Sequence, residues 1–233
     1  MNRPSVVVAI SAGMGFVVGA AFATFHQAVE FAQVTAGIVE YPSNNTFHYF
    51  QTHGWSLTVQ LSGVLLRMGV TERLASILLS GALGVFWFVS ASLLTFALSR
   101  NWMLGLLSPL VMFGLYFDVI PDGVSYPVYL MSFRQTFGVA GLLSSLLTLS
   151  LIAAGCKRAG AFFLGLGFSL HLPSGLWMFG ATAAAACILR TGWRTLLREY
   201  ALFFAIGASI SAASYALQLS VAAPWPPVVA ETA

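Results

Sequence analysis

The chain has 233 residues, of which 58% are hydrophobic and only 7% are charged, and its mean hydropathy is +0.86. A water-soluble domain of this length has too little interior to bury so much apolar surface. The formal net charge of +3 comes from ten basic residues scattered along the chain, a pattern that does not form the basic groove of a nucleic-acid-binding protein. Composition therefore predicts one membrane domain, residues 1–233, folded as an all-α polytopic bundle of transmembrane helices.

The apolar stretches predict the individual spans, because about 20 residues of helix cross the ~30 Å hydrocarbon core of a bilayer. In chain order the predicted spans are residues 5–25, 74–99, 102–117, 136–155, 159–189 and 200–221. Residues 26–73 and 118–135 form the two outer loops. Within the first of these loops, the amphipathic stretch Trp55–Val70 predicts a helix that lies along the membrane interface.

The stretch 159–189 is interrupted at His171, which is followed closely by Pro173 and Gly175. Proline cannot continue a helix from the preceding turn, and it disfavours helical geometry in the residue before it. The interruption therefore predicts two half-length helices, 159–172 and 174–189. Two arrangements remain open: a tight hairpin that returns to its starting side, or one kinked helix that crosses once.

The distribution of charge predicts an orientation. With the N-terminus in the cytoplasm and a hairpin at 159–189, seven basic residues face the cytoplasm and three face outwards, in agreement with the positive-inside rule. The seven are Arg3, Arg100, Lys157, Arg158, Arg190, Arg194 and Arg198, and the three are Arg67, Arg73 and Arg134. Six of the seven acids then lie outside, and only Glu199 lies inside. We expect a multi-pass protein of a bacterial inner membrane.

The first outer loop carries the first candidate site residues. Glu30 follows the first span closely, and Glu40 comes ten residues later, ahead of His48 and His53. A carboxylate near the membrane surface can act as a general base or bind a divalent cation such as Mg²⁺ or Mn²⁺. The alternative is that Glu30 and Glu40 are solvated charges on a short surface helix.

The second outer loop carries Asp118, Asp122 and Arg134. Two acids from separate loops that face one cavity, Glu30 and Asp118, suit acid–base catalysis or metal-assisted phosphate chemistry. The planar guanidinium of Arg134 can hold a phosphate group. Alternatively, Arg134 forms an ion pair with Asp118 or Asp122 across the loop, which would carry little functional information.

His171 is the third candidate, since it is a polar residue inside an apolar stretch. It can line a cavity as a proton carrier or a substrate contact. It can equally form hydrogen bonds with the backbone groups that the helix interruption leaves free. The four histidines match no metal-binding spacing, so the sequence assigns no metal ligands.

The layout of the first 135 residues resembles the polyprenol-dependent membrane glycosyltransferases of the GT-C fold. The resemblance rests on Glu30, the segment Gly37-Ile38-Val39-Glu40-Tyr41-Pro42, the stretch Trp55–Val70 and Asp118. It implies a short or truncated member that transfers a sugar from a polyprenyl-phosphate-linked donor at the outer face. Glu30 would be the catalytic carboxylate, Asp118 the second acid and Arg134 a ligand of the donor phosphate. The full set of predicted substrate-binding residues is Arg134, Glu40, Asp122 and His171.

Two other function classes remain open. A non-catalytic membrane subunit, or a degenerate relative of the family, would pack against membrane-protein partners through small-residue faces such as Gly160 to Gly167. A small-solute transporter would place acids near the middle of the membrane. The spans 74–98 and 136–154 contain no charged residue, which counts against an ion relay.

Overall fold

The computed structural model describes residues 4–42, 45–119 and 137–222; within these ranges, the side chains of Pro4, Phe47 and residues 114–119 are not described. The described chain is helical and contains no β-strand, as the composition predicts. Its helices are α1 (Pro4–Ala21), α2 (Gln27–Thr35), α3 (Thr46–His53), α4 (Leu57–Arg67), α5 (Glu72–Ser99), α6 (Trp102–Val119), α7 (Phe137–Ala153), α8 (Lys157–Leu170), α9 (Leu172–Ile188), α10 (Trp193–Leu196) and α11 (Leu202–Val221). A π-helical turn, Leu197–Ala201, joins α10 to α11.

Two helical segments in the described ranges are long and apolar enough to cross a membrane, as judged by length and composition alone. They are α5, with 28 residues, and the continuous 29-residue segment Trp193–Val221 formed by α10, the π-helical turn and α11. Several shorter apolar helices accompany them, among them α7 and α9. α5 is largely buried by its neighbours, whereas most of the surface of α11 is exposed. α5 is therefore the central helix, and α11 lies at the periphery.

α1 and α5 run antiparallel and approach until their backbones touch. A Cβ atom added at Gly15 would overlap the carbonyl of Gly84, and one added at Gly84 would overlap the carbonyl of Gly15. One turn further along, Gly19 meets the carbonyl of Ser80 in the same way. Small residues permit this distance, at which dispersion contacts form along both backbones.

α6 and α7 pack against α5 in opposite directions. α6 runs antiparallel to it, and Gly105 near the start of α6 lies against Ser92 and Phe96 near the end of α5. α7 runs parallel to it, and Leu143 and Leu147 are buried in the apolar clusters along α5. The larger buried side chains in these clusters are Leu83, Trp87, Phe88, Val89, Leu93, Val139, Leu143, Leu147 and Leu151.

The chain reverses direction at His171, whose backbone is extended, with φ −162° and ψ 104°. Gly175 of α9 lies against the backbone of Gly167 in α8, although residues eight positions apart would be about 12 Å apart in one continuous helix. α11 then runs parallel to α8, and Gly165 and Gly207 bring these two helices into backbone contact. Of the two arrangements left open by the sequence, the structure has the hairpin.

The helix directions sort the charged residues between two ends. The cap end has the C-termini of α1, α6, α8 and α11, together with α2, α3 and α4. The basic end is opposite, and its described charged residues are Arg100, Lys157, Arg158, Arg190, Arg194, Arg198 and Glu199. The charged residues described at the cap end are Glu30, Glu40, Arg67, Glu72 and Arg73.

Residues 26–73, predicted as a loop with one interfacial helix, form a packed three-helix cap over the cap end. α4 occupies most of the predicted stretch Trp55–Val70. Its Val59 and Leu66 face protein, whereas Leu61 and Val64 are exposed, so the interfacial position of this helix stays a prediction. Buried side chains of α2, α4 and α5 form one cluster, Ala28, Val29, Phe31, Ala32, Val59, Leu66 and Ala75. The Phe31 ring contacts Phe50 of α3 and Phe137 of α7 at centroid distances of 5.3 and 5.0 Å. Amphipathic periodicity locates the apolar side of a helix without specifying whether lipid or protein covers it.

Two boundaries differ from the prediction by four residues or more. α1 ends at Ala21 instead of residue 25, and His26 begins the next helix as its N-cap. The last helical segment begins at Trp193 instead of residue 200, and the π-helical turn carries the chain through the charged residues Arg198 and Glu199. Hydropathy places the start of this span after Arg198 and Glu199, because these charges lower the local average. It does not register that the helix continues through them.

The backbone contact between α1 and α5 yields a prediction for Gly84→Ala. The added methyl group overlaps the Gly15 carbonyl, so the helices must separate, and overpacking of this kind costs about 1–3 kcal/mol. We expect a lower thermal unfolding temperature in detergent. Gly13→Ala is the matched control, since a Cβ atom there meets nothing within 4 Å. Equal destabilisation by both substitutions would contradict the close contact.

Candidate functional site

A network of hydrogen bonds holds the cap against α11. The Ser214 hydroxyl donates to Gln60 Oε1 at 2.6 Å, and Gln60 Nε2 donates to the Ser214 carbonyl at 2.7 Å. The indole N–H of Trp55 donates to the Ser214 hydroxyl at 3.0 Å. Gln218 Nε2 donates to the carbonyl of Thr52. Because both amide side chains find partners, the cap holds a definite position relative to α11.

The cap also contacts the tip of the α8–α9 hairpin. The Ser56 hydroxyl caps α4 and donates to the Leu170 carbonyl at 3.2 Å, which satisfies one of the acceptors freed at the end of α8. His171 caps α9: its Nδ1 lies 2.7 Å from the Ser174 hydroxyl, and the imidazole packs against α7 at Gly141. In this structure His171 therefore bonds the groups freed at the helix interruption.

Glu30 lies on the exposed side of α2, the first helix of the cap. Its Oε1 accepts a hydrogen bond of 3.5 Å from Nε2 of Gln51 on α3. Gln51 is 1% exposed, and its own Oε1 has no hydrogen-bond partner. His48, one turn before Gln51, has a buried Nδ1 that also lacks a partner. Buried polar atoms without partners are uncommon, so a group of them beside an exposed carboxylate marks this part of the cap as a candidate site.

His26 is fully buried at the junction between α1 and α2. Its Nδ1 accepts the backbone N–H of Ala28 at 3.0 Å, and its backbone N–H donates to the Ser76 hydroxyl of α5 at 3.2 Å. The proton of the neutral ring therefore sits on Nε2, which is buried and has no partner. Burial lowers the pKa of His26 to about 4, so the ring is neutral at physiological pH.

The other predicted site residues are only partly covered by the described chain. Glu40 is exposed and follows the turn after α2. Asp118 lies in the last turn of α6, which reaches the cap end because α6 runs antiparallel to α5 and its Phe113 ring contacts Phe22 at 5.3 Å. Glu30 and Asp118 therefore share one end, and a common cavity stays a prediction. Asp122 and Arg134 lie outside the described residues.

The predicted divalent cation also stays a prediction. Within residues 4–42, 45–119 and 137–222, no group of three or more His, Cys, Asp or Glu side chains is arranged to hold a metal ion. His53 bonds the Tyr49 carbonyl of its own helix through Nδ1 at 2.9 Å.

Gln51 and His26 are the site residues that sequence reasoning missed. Gln51 is one uncharged amide in a polar stretch, and nothing in its spacing marks it as a partner of Glu30, 21 residues away. His26 directly precedes a helix with an acid in its first turn, which is the position of an N-cap. Histidine is not among the residues preferred at that position, so the sequence pattern did not predict His26 as an N-cap.

Comparison of the chain with protein-family models, with curated proteins and with solved structures finds no match.

His26 makes a prediction about pH. The folded pKa lies below the unfolded value of 6.5, so only the unfolded chain binds the proton as pH falls from about 6.5 to 4. Stability is fully present above pH 6.5 and declines through this window, by up to ~3 kcal/mol for a shift of this size. Thermal unfolding in detergent at several pH values measures the decline. His26→Asn keeps an N-cap acceptor without titrating, so we expect it to flatten the profile; an unchanged profile would contradict this.

The fastening of the cap to α11 makes a second prediction. Gln218→Ala removes a buried amide and leaves the Thr52 carbonyl and Gln60 with fewer partners, at a cost of about 1–3 kcal/mol. We expect faster proteolytic cleavage within residues 26–73 and a lower unfolding temperature. Ser220→Ala is the control, because that exposed hydroxyl bonds only within its own helix. Cleavage at the same rate in both variants would show that the network does not hold the cap.

Proposed function

We propose that the protein is a multi-pass membrane protein with its cap end outside and its basic end in the cytoplasm. The support is the separation of charge along the helices. Of the described cations, six lie at the basic end and only Arg67 and Arg73 lie at the cap end. Such an asymmetry is typical of the cytoplasmic side of membrane proteins, where Lys and Arg are retained.

We further propose that the cap end transfers a sugar from a polyprenyl-phosphate-linked donor to an acceptor hydroxyl. The observation that carries this proposal is the carboxylate of Glu30, exposed on a rigid cap, bonded by Gln51 and located at the end reached by α6 with Asp118. A site of this kind needs an exposed acid fixed by a supporting side chain, so that the base meets its substrate in one orientation.

In this mechanism Glu30 accepts the proton of the acceptor hydroxyl as the acceptor oxygen forms a bond to the anomeric carbon. The bond from that carbon to the phosphate oxygen breaks, and polyprenyl phosphate leaves. The developing negative charge on the phosphate requires a cation. Arg134 is the residue proposed for it, with Asp118 orienting the acceptor or holding a divalent cation.

The fold gives less support to a transporter. The buried polar groups along the described part of α5 and α7 are serine and threonine hydroxyls, as in the 2.7 Å bond between Ser11 and Ser92, together with the indole N–H of Trp87. Ser144 and Thr148 bond carbonyls within α7. No acid or base lies among them, whereas an ion relay needs ionisable groups at this depth.

A non-catalytic membrane subunit is the second candidate, and one observation favours it. α9 has 17 residues, and only Gly175 among them is buried. A helix so poorly covered by the described part of the chain offers a surface for another membrane protein. The two candidates differ in the role of Glu30, because the enzyme requires its carboxylate as a base and the subunit does not.

Glu30→Gln tests the proposal. The protein is purified in mild detergent and incubated with a polyprenyl-phosphate-linked hexose, with water as the acceptor hydroxyl. Native mass spectrometry follows the conversion of bound donor into polyprenyl phosphate as the hexose is transferred to water. A general base contributes about 10²–10⁴-fold to rate, so we expect conversion to fall at least a hundredfold while the donor stays bound. Arg134→Ala is expected to lose the donor itself, because the phosphate loses its cationic partner.

Glu72→Gln is the matched control. Glu72 is an acid at the same end, and glutamine there can still accept the hydrogen bond from Gln33 Nε2. It should convert the donor at the wild-type rate. Binding of ordinary phospholipids only, or equal conversion by wild type and Glu30→Gln, would refute the glycosyltransferase and leave the subunit as the better description.

A further inference from the structure

An apolar groove of about 510 Å³ lies between α9 and the neighbouring helices α7, α8 and α11, toward the basic end. We call it the α9 groove. Its main lining residues are Leu164, Phe179, Ala183, Ala186, Leu197 and Phe204. The volume falls in the range of about 300–1,000 Å³ that is typical of ligand sites.

The groove exists because α9 diverges from α11 beyond a cluster of three rings, Phe168, Phe179 and Phe204, which we call the aromatic wedge. Near the hairpin tip, Gly175 allows α9 to touch α8. One turn further, Phe179 packs against Phe168 and Phe204 at centroid distances of 6.1 and 5.6 Å and holds α9 away from α11. Beyond the wedge, α9 presents alanines, which are too small to fill the gap. The open space is therefore built by the residue sizes along α9.

The rim of the groove at the basic end is cationic. Arg190 and Thr191 line it, and Arg190 adopts a left-handed backbone, φ 49°, as the chain turns after α9. Arg190 has no ion-pair partner within the described chain. The acid described at this end, Glu199, is already bonded by Lys157 at 2.6 Å and by Arg198 at 3.4 Å. Within the described residues, the positive charge at the rim is therefore uncompensated.

The segment beside the rim combines apolar exposure with charge. Leu189 is 77% exposed and Trp193 is 66% exposed, and the Arg194 guanidinium lies over the Trp193 ring at 5.6 Å. Exposed Trp and Leu next to Arg are typical of chain at the level of lipid headgroups. An apolar groove that ends in a cation at this level matches a molecule with an apolar chain and an anionic head.

We propose that the α9 groove binds one acyl chain of an anionic glycerophospholipid, whose phosphate is held by Arg190. This site is separate from the proposed sugar-transfer site, because it lies at the opposite end of the helices and shares no residue with it. A bound lipid would also cover the side of α9 that residues 4–42, 45–119 and 137–222 leave open.

The test is a titration of delipidated protein in detergent with phosphatidylglycerol or phosphatidylcholine of identical acyl chains, followed by native mass spectrometry. We expect one phosphatidylglycerol to bind more tightly than phosphatidylcholine, and Arg190→Gln to weaken it by about fivefold or more, since one Arg beside an anionic lipid contributes on that scale. Arg100→Gln is the matched control: Arg100 is also a left-handed arginine at the basic end, φ 56°, but does not line the groove.

A second pair of variants tests the groove itself. Ala186→Phe fills the groove and should lower the bound phosphatidylglycerol, whereas Ala184→Phe, on exposed α9 surface that does not line the groove, should not. Glu30→Gln should bind phosphatidylglycerol as wild type does, so this result is independent of the sugar-transfer assay.

Four outcomes would overturn the proposal. Equal binding of the two lipids would remove the role of charge, and an unchanged affinity in Arg190→Gln would remove the role of that residue. Cross-linking of Ala183→Cys to a second protein chain would assign the groove to a protein partner. Preferential binding of polyprenyl phosphate, lost in Arg190→Gln, would assign it to the donor lipid.

Discussion

The backbone contact between α1 and α5 positions the cap end of the molecule. Gly15 and Gly84 allow the two helices to touch, and this places the end of α1 beside Ser76 on α5. The backbone of His26 bonds the Ser76 hydroxyl, and the His26 ring begins α2. Glu30 is one turn along that helix. The position of the exposed Glu30 carboxylate thus depends on the contact between α1 and α5 in the apolar interior.

The reversal at His171 is the second constraint on the fold. Because α9 returns the chain to the basic end, α11 must run parallel to α8 and finish under the cap. That direction delivers Ser214 and Gln218 to the amides and carbonyls of α3 and α4. It also gathers the arginines that follow α9 at the opposite end. The extended backbone at His171 therefore determines both how the cap is held and at which end the cations lie.

Buried polar groups are hydrogen-bonded differently in the central helices and at the cap end. Within the central helices, serine and threonine hydroxyls bond carbonyls of their own helix or each other, which satisfies them without charge. At the cap end, His26, His48 and Gln51 retain buried atoms without partners beside the exposed Glu30. Among the described residues one further buried polar atom lacks a partner, Trp87 Nε1 on α5, so three of the four such atoms lie at the cap end. Stability alone would favour satisfying these atoms, and their excess at the cap end supports a functional assignment there.

The sequence by itself determined the all-α class, the approximate helices and the interruption at His171, because hydropathy, proline geometry and helix length are local properties. It did not decide between a hairpin and a kinked crossing, which depends on whether Gly175 can meet Gly167 across the turn. It also gave residues 26–73 as a loop with one interfacial helix, since periodicity does not say what covers an apolar face. Only the tertiary structure paired Gln51 with Glu30 and opened the α9 groove, because both depend on how residues distant in the chain come together in space.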